Sequence, residues 1–153
     1  MSSYSKYAVG VMILLPDNRI VVIEEPSKPP PTLPKFPIGQ STKEEENLLR
    51  MGYPEGEVLR IVGVREAEEE TGISMRKAKY HGLVHRETRR LPQPHDWVLK
   101  EYHLPFIPAG PTKGQDGQRV SFLTAREILS NPRFHKDHLQ AARKRLEEIA
   151  GLR

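Results

Sequence analysis

The 153-residue sequence contains no cysteine, so it can form no disulfide, thiolate metal site or cysteine nucleophile. It also lacks a long hydrophobic run, because its longest apolar stretch, residues 8–15, is far shorter than the roughly 20 residues that span a bilayer. The N-terminal residues have neither the basic start nor the cleavage site of a signal peptide. We therefore expect a cytoplasmic protein that does not insert into a membrane.

Several familiar functional motifs are missing too. There is no P-loop, no dinucleotide-binding glycine pattern and no Ser-His-Asp arrangement that the spacing would reveal. His135 and His138 stand three residues apart on a predicted helix, but no third ligand accompanies them, so a zinc site is not favoured there. We interpret the other four histidines, which lie in strand-like segments, as structural or solvent-facing: His81, His85, His95 and His103.

The charge balance is only moderately basic, with a formal net charge of +4. Such a charge would suit a nucleic acid partner, but the sequence has no dense basic stripe and no aromatic RNA-binding motif. We therefore do not expect nucleic acid binding, and a small-molecule ligand is favoured.

The pattern of apolar residues predicts an α/β protein with one core in a single domain. Strands are predicted at 7–15, 20–24, 79–88, 97–107 and 119–123, the first two joined as a hairpin. Helices are predicted at 42–51 and 57–71, with a short one opening at residue 124 and a last one starting at Asn131-Pro132. Five prolines between residues 26 and 34 predict an extended loop. Strands on either side of a buried helix imply a mixed sheet between helical layers.

The segment Arg65–Ile73, with the sequence REAEEETGI, carries the strongest chemical signal. On a helix, Glu66, Glu69 and Glu70 fall within about 100° of one another, and Glu68 falls on the other side. Three like charges within one turn repel each other. A hard divalent cation such as Mg²⁺ relieves that repulsion and keeps open positions for phosphate. The pattern predicts a metal site, against the alternative of a solvated acidic helix in which Arg65 pairs with a neighbouring glutamate.

Two glycines mark this helix. Gly63 interrupts it at a cost of about 1 kcal/mol relative to alanine, and we interpret it as a point where phosphate or metal approaches the backbone. Gly72 follows the last turn and is predicted to end the helix in the left-handed conformation.

The segment resembles the signature of the Nudix (MutT-like) hydrolases, G-x5-E-x7-R-E-U-x-E-E-x-G-U, where U is a bulky aliphatic residue. Read from Glu57, seven residues lead to Arg65 and the match continues to Ile73, with Ala67 in place of the first aliphatic residue. The signature glycine would fall at Met51, which is a departure from the family pattern.

The expected counterpart of that glycine is Gly39, in the segment FPIGQ at residues 36–40. This segment resembles the family's F/W-P-G-G-K turn, with Ile38 and Gln40 substituted. About a dozen extra residues, near 41–52, would then form an insertion between Gly39 and Glu57.

The resemblance implies a Nudix-type α/β/α sandwich with a mixed β-sheet over residues 1–153. It implies metal-dependent hydrolysis of the pyrophosphate linkage of a nucleoside diphosphate derivative, with Mg²⁺ as the cofactor and Mn²⁺ as the alternative ion. The implied catalytic residues and metal ligands are Glu66, Glu69 and Glu70, and the Gly39 carbonyl is a further ligand. We also expect Glu57 and Arg65 to form a structural ion pair.

Three residues are candidate substrate contacts: Arg86, Arg89 and Asp116. The two arginines could equally be surface residues, and Asp116 could equally be a turn residue. The resemblance implies a further acid in the loop before the last strand; Asp116 is the candidate in that loop, and Glu101 on the preceding strand is the second candidate. A Nudix-fold module that binds a nucleotide without cleaving it is the alternative function, because the glycine turn is altered and an insertion is present. The substrate is not predicted, and the oligomeric state stays open, although homodimers are common among proteins that resemble this one.

Overall fold

The structure, a computed structural model, describes residues 6–25, 33–91, 93–110 and 112–151. Most of the predicted proline loop, residues 26–32, lies outside the described residues. In chain order the elements are β1 (Tyr7–Leu14), β2 (Arg19–Glu24), β3 (Ile38–Gln40), α1 (Lys43–Arg50), α2 (Glu55–Thr71), β4 (Lys79–Arg89), β5 (His95–His103), β6 (Arg119–Thr124), α3 (Ala125–Ser130) and α4 (Lys136–Ile149). No helix in the described part of the chain is both long and apolar enough to cross a membrane.

The described strands form one mixed sheet in the order β4-β5-β1-β2-β6, with β3 pairing separately with β1. β1 and β5 are parallel, and the other pairs are antiparallel. All eight residues of β1 are buried. A strand buried on both faces reads as a continuous apolar run, which is why β1 could be predicted from sequence.

Helices cover both faces of this sheet. On one face, Val9 of β1 packs with Val58 and Val62 of α2. On the other face, Met12 packs with side chains of α3 and α4, including Leu146. The predicted α/β/α sandwich with a mixed sheet is therefore confirmed.

Gly63 lies where α2 crosses β1. A Cβ atom at this position would stand 3.0 Å from Val9 Cγ1 and 3.1 Å from Val11 Cγ2. The glycine therefore allows the helix to pack closely on the strand, and its predicted role as an approach point for phosphate or metal is wrong.

Two helix starts differ from prediction. α1 begins at Lys43, one residue later than predicted, because Thr42 is its N-cap and forms a capping box with Glu45. α4 begins at Lys136 rather than at Asn131-Pro132, because Phe134 is 1% exposed and packs its ring 5.2 Å from that of Phe36. The segment before α4 is thus a turn shaped by core packing.

His138 on α4 is a core residue. It is 3% exposed, and its Nδ1 accepts a hydrogen bond from the Phe36 N–H at 3.1 Å. Burial lowers its pKa to about 3, so the ring is neutral in the folded protein at ordinary pH.

Candidate active site

The predicted carboxylates of α2 line one cavity of about 190 Å³. The cavity is formed by α2, the residue after β2 and the loop before β6, and its lining residues are Glu25, Glu66, Glu69, Glu70, Gln115, Asp116 and Gln118. Five of these seven side chains are acidic, and all seven offer oxygen. This is the kind of donor set that hard divalent cations prefer.

Glu70 is the most buried of the three predicted ligands, at 7% exposure. Its Oε1 accepts a hydrogen bond from the Ile38 N–H at 2.6 Å, which fixes it beneath β3. Burial raises the pKa of Glu70 to about 8, and the nearby charge of Glu66 adds to the rise. A cation in the cavity would favour the ionised form.

Glu66 lies directly against the backbone of Gly39. A Cβ atom added at Gly39 would overlap the Glu66 carboxylate. Burial also raises the pKa of Glu66, although Arg65 opposes the rise with a hydrogen bond of 2.7 Å. A side chain at position 39 would therefore displace the Glu66 carboxylate, and glycine lets this carboxylate lie against the backbone.

Glu69 and Glu68 point in different directions. Glu69 Oε2 accepts a hydrogen bond from Arg65 Nη1 at 3.1 Å, and Glu68 accepts one from the Met75 N–H at 2.8 Å. Arg65 donates through the same nitrogen to Glu66 and Glu69. Among the described residues, one group of three ligand-type side chains has ligand atoms that all lie within 4.8 Å of one another: His81, Glu101 and His103. Glu66, Glu69 and Glu70 do not form such a group.

Arg65 is held by Glu45 of α1. Its Nε and Nη2 donate to the two carboxylate oxygens of Glu45 at 2.7 and 2.9 Å, and Nη2 also donates to the Gln40 carbonyl at 3.0 Å. Glu57 instead pairs with Arg60. The predicted Glu57–Arg65 pair is therefore wrong, because the two positions are eight residues apart on one unbroken helix, about 12 Å along its axis.

The position of Glu45 changes the register of the motif. Five residues separate Gly39 from Glu45, which is the G-x5-E spacing of the signature. The extra residues consequently lie between Glu45 and Arg65, in the second half of α1, the turn after it and the start of α2. Counting forward from Gly39 would have found Glu45, whereas counting backward from Arg65 led to Glu57.

Asp116 is the one predicted substrate contact that lies in the cavity. Its loop is tied to the end of α2, because the Gln115 N–H donates to the Glu69 carbonyl at 2.6 Å. Gly114 lies so close to the Glu70 carbonyl and the Gln118 side chain that a Cβ there would overlap both. This close approach brings the loop acid to the helix carboxylates.

The two predicted arginines do not line the cavity. Arg86 donates to both oxygens of Glu55 at 2.8 and 3.0 Å and to Asp96 at 2.7 Å. Arg89 lies 4.7 Å from the centre of the Trp97 ring and pairs with Glu87 and Asp137. Both guanidinium groups are thus engaged within the protein, and their role as phosphate contacts stays a prediction.

Glu25 was missed from sequence. It follows β2, is 6% exposed, and has its Oε1 3.5 Å from Lys35 Nζ. Its signal was weak, because an acid after a strand is ordinarily a solvent-exposed loop residue.

The chain shares its fold with solved structures of low sequence identity. No protein-family model matches the sequence, and no curated protein matches it. Among solved structures, a NUDIX hydrolase from Nitrosomonas europaea superposes with a TM-score of 0.67 at 16% identity, over 97% of this chain and 73% of that one. A C. elegans Ap4A hydrolase in a binary complex gives 0.64 at 15% identity, over 95% and 98%. The NUDIX domain of Shewanella oneidensis NrtR complexed with ADP ribose gives 0.60 at 17% identity, over 92% and 87%. The chain therefore has the fold of the Nudix hydrolases, as the motif predicted.

Proposed function

We propose that this protein hydrolyses the pyrophosphate linkage of a nucleoside diphosphate derivative in a reaction that requires Mg²⁺, with Mn²⁺ as the alternative ion. The observation that carries the proposal is the cavity in which Glu66, Glu69 and Glu70 meet two further acids beside Gly39. Two structures of the same fold support the nucleotide class, since one is an Ap4A hydrolase and the other is complexed with ADP ribose.

The residues present fit a divalent ion of the magnesium type. Glu66, Glu69 and Glu70 would hold it, together with the carbonyl of Gly39, and every donor is an oxygen atom. Such an ion, when bound, neutralises negative charge on the pyrophosphate. The glycine at position 39 supports this assignment, because any side chain there would displace the Glu66 carboxylate.

The chain's own residues supply positioning, which matters most in phosphoryl substitution. Arg65 fixes Glu66 and Glu69 by donating to both, and Glu45 fixes Arg65 from the other side. One of the cavity carboxylates would accept the proton of the water that attacks phosphorus. Asp116, on its tied loop, would face the substrate from across the cavity.

The test is to incubate the protein with Mg²⁺ and a panel of nucleoside diphosphate derivatives and to separate the products by chromatography. We expect turnover by the wild type and by Glu68→Gln, whose side chain points away from the cavity, and a large loss in Glu69→Gln and Glu70→Gln. Tight binding of a panel member without products would favour the nucleotide-binding module. No binding and no turnover with any member would contradict the proposal.

A further inference from the structure

A second group of ligand-type side chains lies on the face of the sheet that α4 covers, opposite the carboxylate cavity of α2. We call it the histidine–glutamate cluster: His81, Glu101 and His103. Glu101 and His103 are two residues apart on β5, so both side chains face α4. His81 comes from β4, where the register with β5 shifts between Tyr80 and Gly82. Such bulges re-aim side chains, and here the bulge adds the third member.

The three side chains stand at distances close to those around one metal ion. One ligand atom of each lies within 4.8 Å of the others. His103 Nε2 is 2.6 Å and His81 Nε2 is 4.0 Å from the same oxygen, Glu101 Oε2. Around tetrahedral zinc, with bonds of about 2.0–2.2 Å, neighbouring ligand atoms are about 3.3–3.5 Å apart. The rings of His81 and His103 are stacked 4.3 Å apart at 9°, so one of them would also turn out of the stack to aim its nitrogen at the ion.

The donor set differs in kind from that of the carboxylate cavity. Two imidazoles and one carboxylate bind zinc in several enzymes and iron(II) in others. The cavity on the α2 face offers oxygen alone, which suits magnesium. The two faces of the sheet thus present sites for different classes of ion.

Glu101 enters the cluster as a carboxylate. It is 1% exposed, and Arg145 of α4 donates to its two oxygens at 2.7 and 2.9 Å. These two hydrogen bonds hold the Glu101 carboxylate in place on the face of the sheet that α4 covers.

Arg145 also contacts the imidazole ring of His81. Its Nη2 lies 3.4 Å from His81 Nε2, and a guanidinium group can only donate. The Nε2 lone pair of His81 therefore faces Arg145, which competes with an ion for this nitrogen. Arg145 reaches Glu148 as well, at 3.2 Å, so it has a second anion to pair with when an ion competes for Glu101.

The cluster is open to solvent. The side chains of His81 and His103 are 50% and 37% exposed. His81 borders a surface cavity of about 450 Å³ between β4 and α4, which Glu101 and Arg145 also line. An ion can enter this cavity without the sheet opening.

We propose that His81, Glu101 and His103 bind a transition-metal ion of the zinc type, at a site separate from the carboxylate cavity and independent of the proposed hydrolysis. The ion would join β4, at the edge of the sheet, to β5. Because it binds the folded chain, it raises the stability of that chain by mass action.

The test is a titration of the full chain with Zn²⁺ against a chromophoric chelator, together with thermal unfolding. His81→Gln and His103→Gln are the informative variants, because both side chains are partly exposed and their loss should leave the fold intact. We expect each to weaken zinc binding at one site by at least about 10-fold and to remove the zinc-dependent rise in Tm. His95→Gln, Glu69→Gln and His135→Gln should keep both, and Arg145→Gln should bind zinc more tightly.

Three results would overturn the proposal. One is a wild-type chain that takes up no zinc. Another is an unchanged affinity in both His81→Gln and His103→Gln. The third is a loss that follows His135→Gln or Glu69→Gln instead, which would assign the ion to the His135–His138 pair or to the carboxylate cavity.

Discussion

Glu45 determines where Arg65 lies, and Arg65 in turn orients two of the proposed metal ligands. Glu45 is 6% exposed, and its Oε1 also accepts a hydrogen bond from the Thr42 N–H at 2.9 Å. A single side chain thus caps α1 and connects it to α2. Through Arg65, Glu45 therefore links the extra residues of this chain to its candidate active site.

Replacing Glu45 tests this link. Glu45→Gln should lower the free energy of unfolding by about 2 kcal/mol, because a largely buried, charge-assisted pair is lost. Glu57→Gln should change it by less than about 0.5 kcal/mol, since the Glu57 pair with Arg60 is solvent-exposed. Urea unfolding measures both, with the exposed Glu44→Gln as the control. A larger loss in Glu57→Gln than in Glu45→Gln would contradict this assignment and support the predicted Glu57–Arg65 pair.

Gly39 gives a second test at the same scale. Gly39→Ala should reduce Mg²⁺-dependent kcat/KM on the order of 100-fold, because its Cβ would displace the Glu66 carboxylate. Gly56→Ala is the matched control: a Cβ there meets nothing within 4 Å, so it should keep full activity and stabilise α2 by up to about 1 kcal/mol. Wild-type kinetics in Gly39→Ala would remove Gly39 from the site.

At the scale of elements, acid–arginine pairs hold the α1–α2 unit in place. Glu45 of α1 pairs with Arg65, and Glu55 at the start of α2 pairs with Arg86 of β4. Tyr7 of β1 adds a hydrogen bond to Glu55 at 2.8 Å. The extra residues between Glu45 and Arg65 are thus anchored at their ends by that pair and near their middle by Glu55.

This anchoring predicts a stability that depends on pH. Burial alone would raise the pKa of Glu45, but Arg65 and Thr42 lower it below the ordinary 4.5. The hydrogen bond from Arg86 lowers the pKa of Glu55. Groups with a lowered folded pKa contribute stability above the unfolded pKa and lose it as pH falls through the folded one. The free energy of unfolding should therefore decline below about pH 4.5, and urea unfolding between pH 3 and 7 should show a shallower decline in Glu45→Gln. An identical pH profile in that variant would contradict this origin.

Arg86 of β4 also connects elements, because it pairs with Glu55 of α2 and Asp96 of β5. Arg86→Gln leaves Asp96, which is 3% exposed, without its arginine partner. We expect a loss of about 2 kcal/mol in the free energy of unfolding with little change in KM. Unfolding and kinetic measurements on the same preparation separate the two roles, since a raised KM at unchanged stability would identify Arg86 as a phosphate contact.

Local patterns predicted most of the elements. The apolar run of β1 and the short helix that opens at Thr124 are encoded within a few residues, and both appear as expected. Gly72 ends α2 with a φ of 71°, the left-handed value predicted for it. The start of α4 was missed because it depends on Phe134 packing against Phe36, a contact between distant segments.

At the scale of the whole molecule, the site also combines residues that local patterns predict with residues that only contacts between distant segments bring together. Helical spacing alone placed Glu66, Glu69 and Glu70 in one cavity and turned Glu68 away from it. The pairs of Arg65 with Glu45 and of Arg86 with Glu55 join residues 20 and 31 positions apart, and no local pattern reports such pairings. The histidine–glutamate cluster likewise needs the bulge in β4 and the alignment of β4 with β5 before its members meet.

We propose that the acidic face of α2 holds a divalent ion for cleavage of a pyrophosphate bond. The most direct measurement is hydrolysis of a nucleoside diphosphate derivative in ¹⁸O-labelled water, with Mg²⁺ or with excess chelator, in the wild type, Glu69→Gln and Glu68→Gln. We expect ¹⁸O in a phosphate product of the wild type and Glu68→Gln with Mg²⁺ alone, and a rate lower by at least about 100-fold in Glu69→Gln. Equal turnover in the two variants, or turnover that survives the chelator, would contradict it.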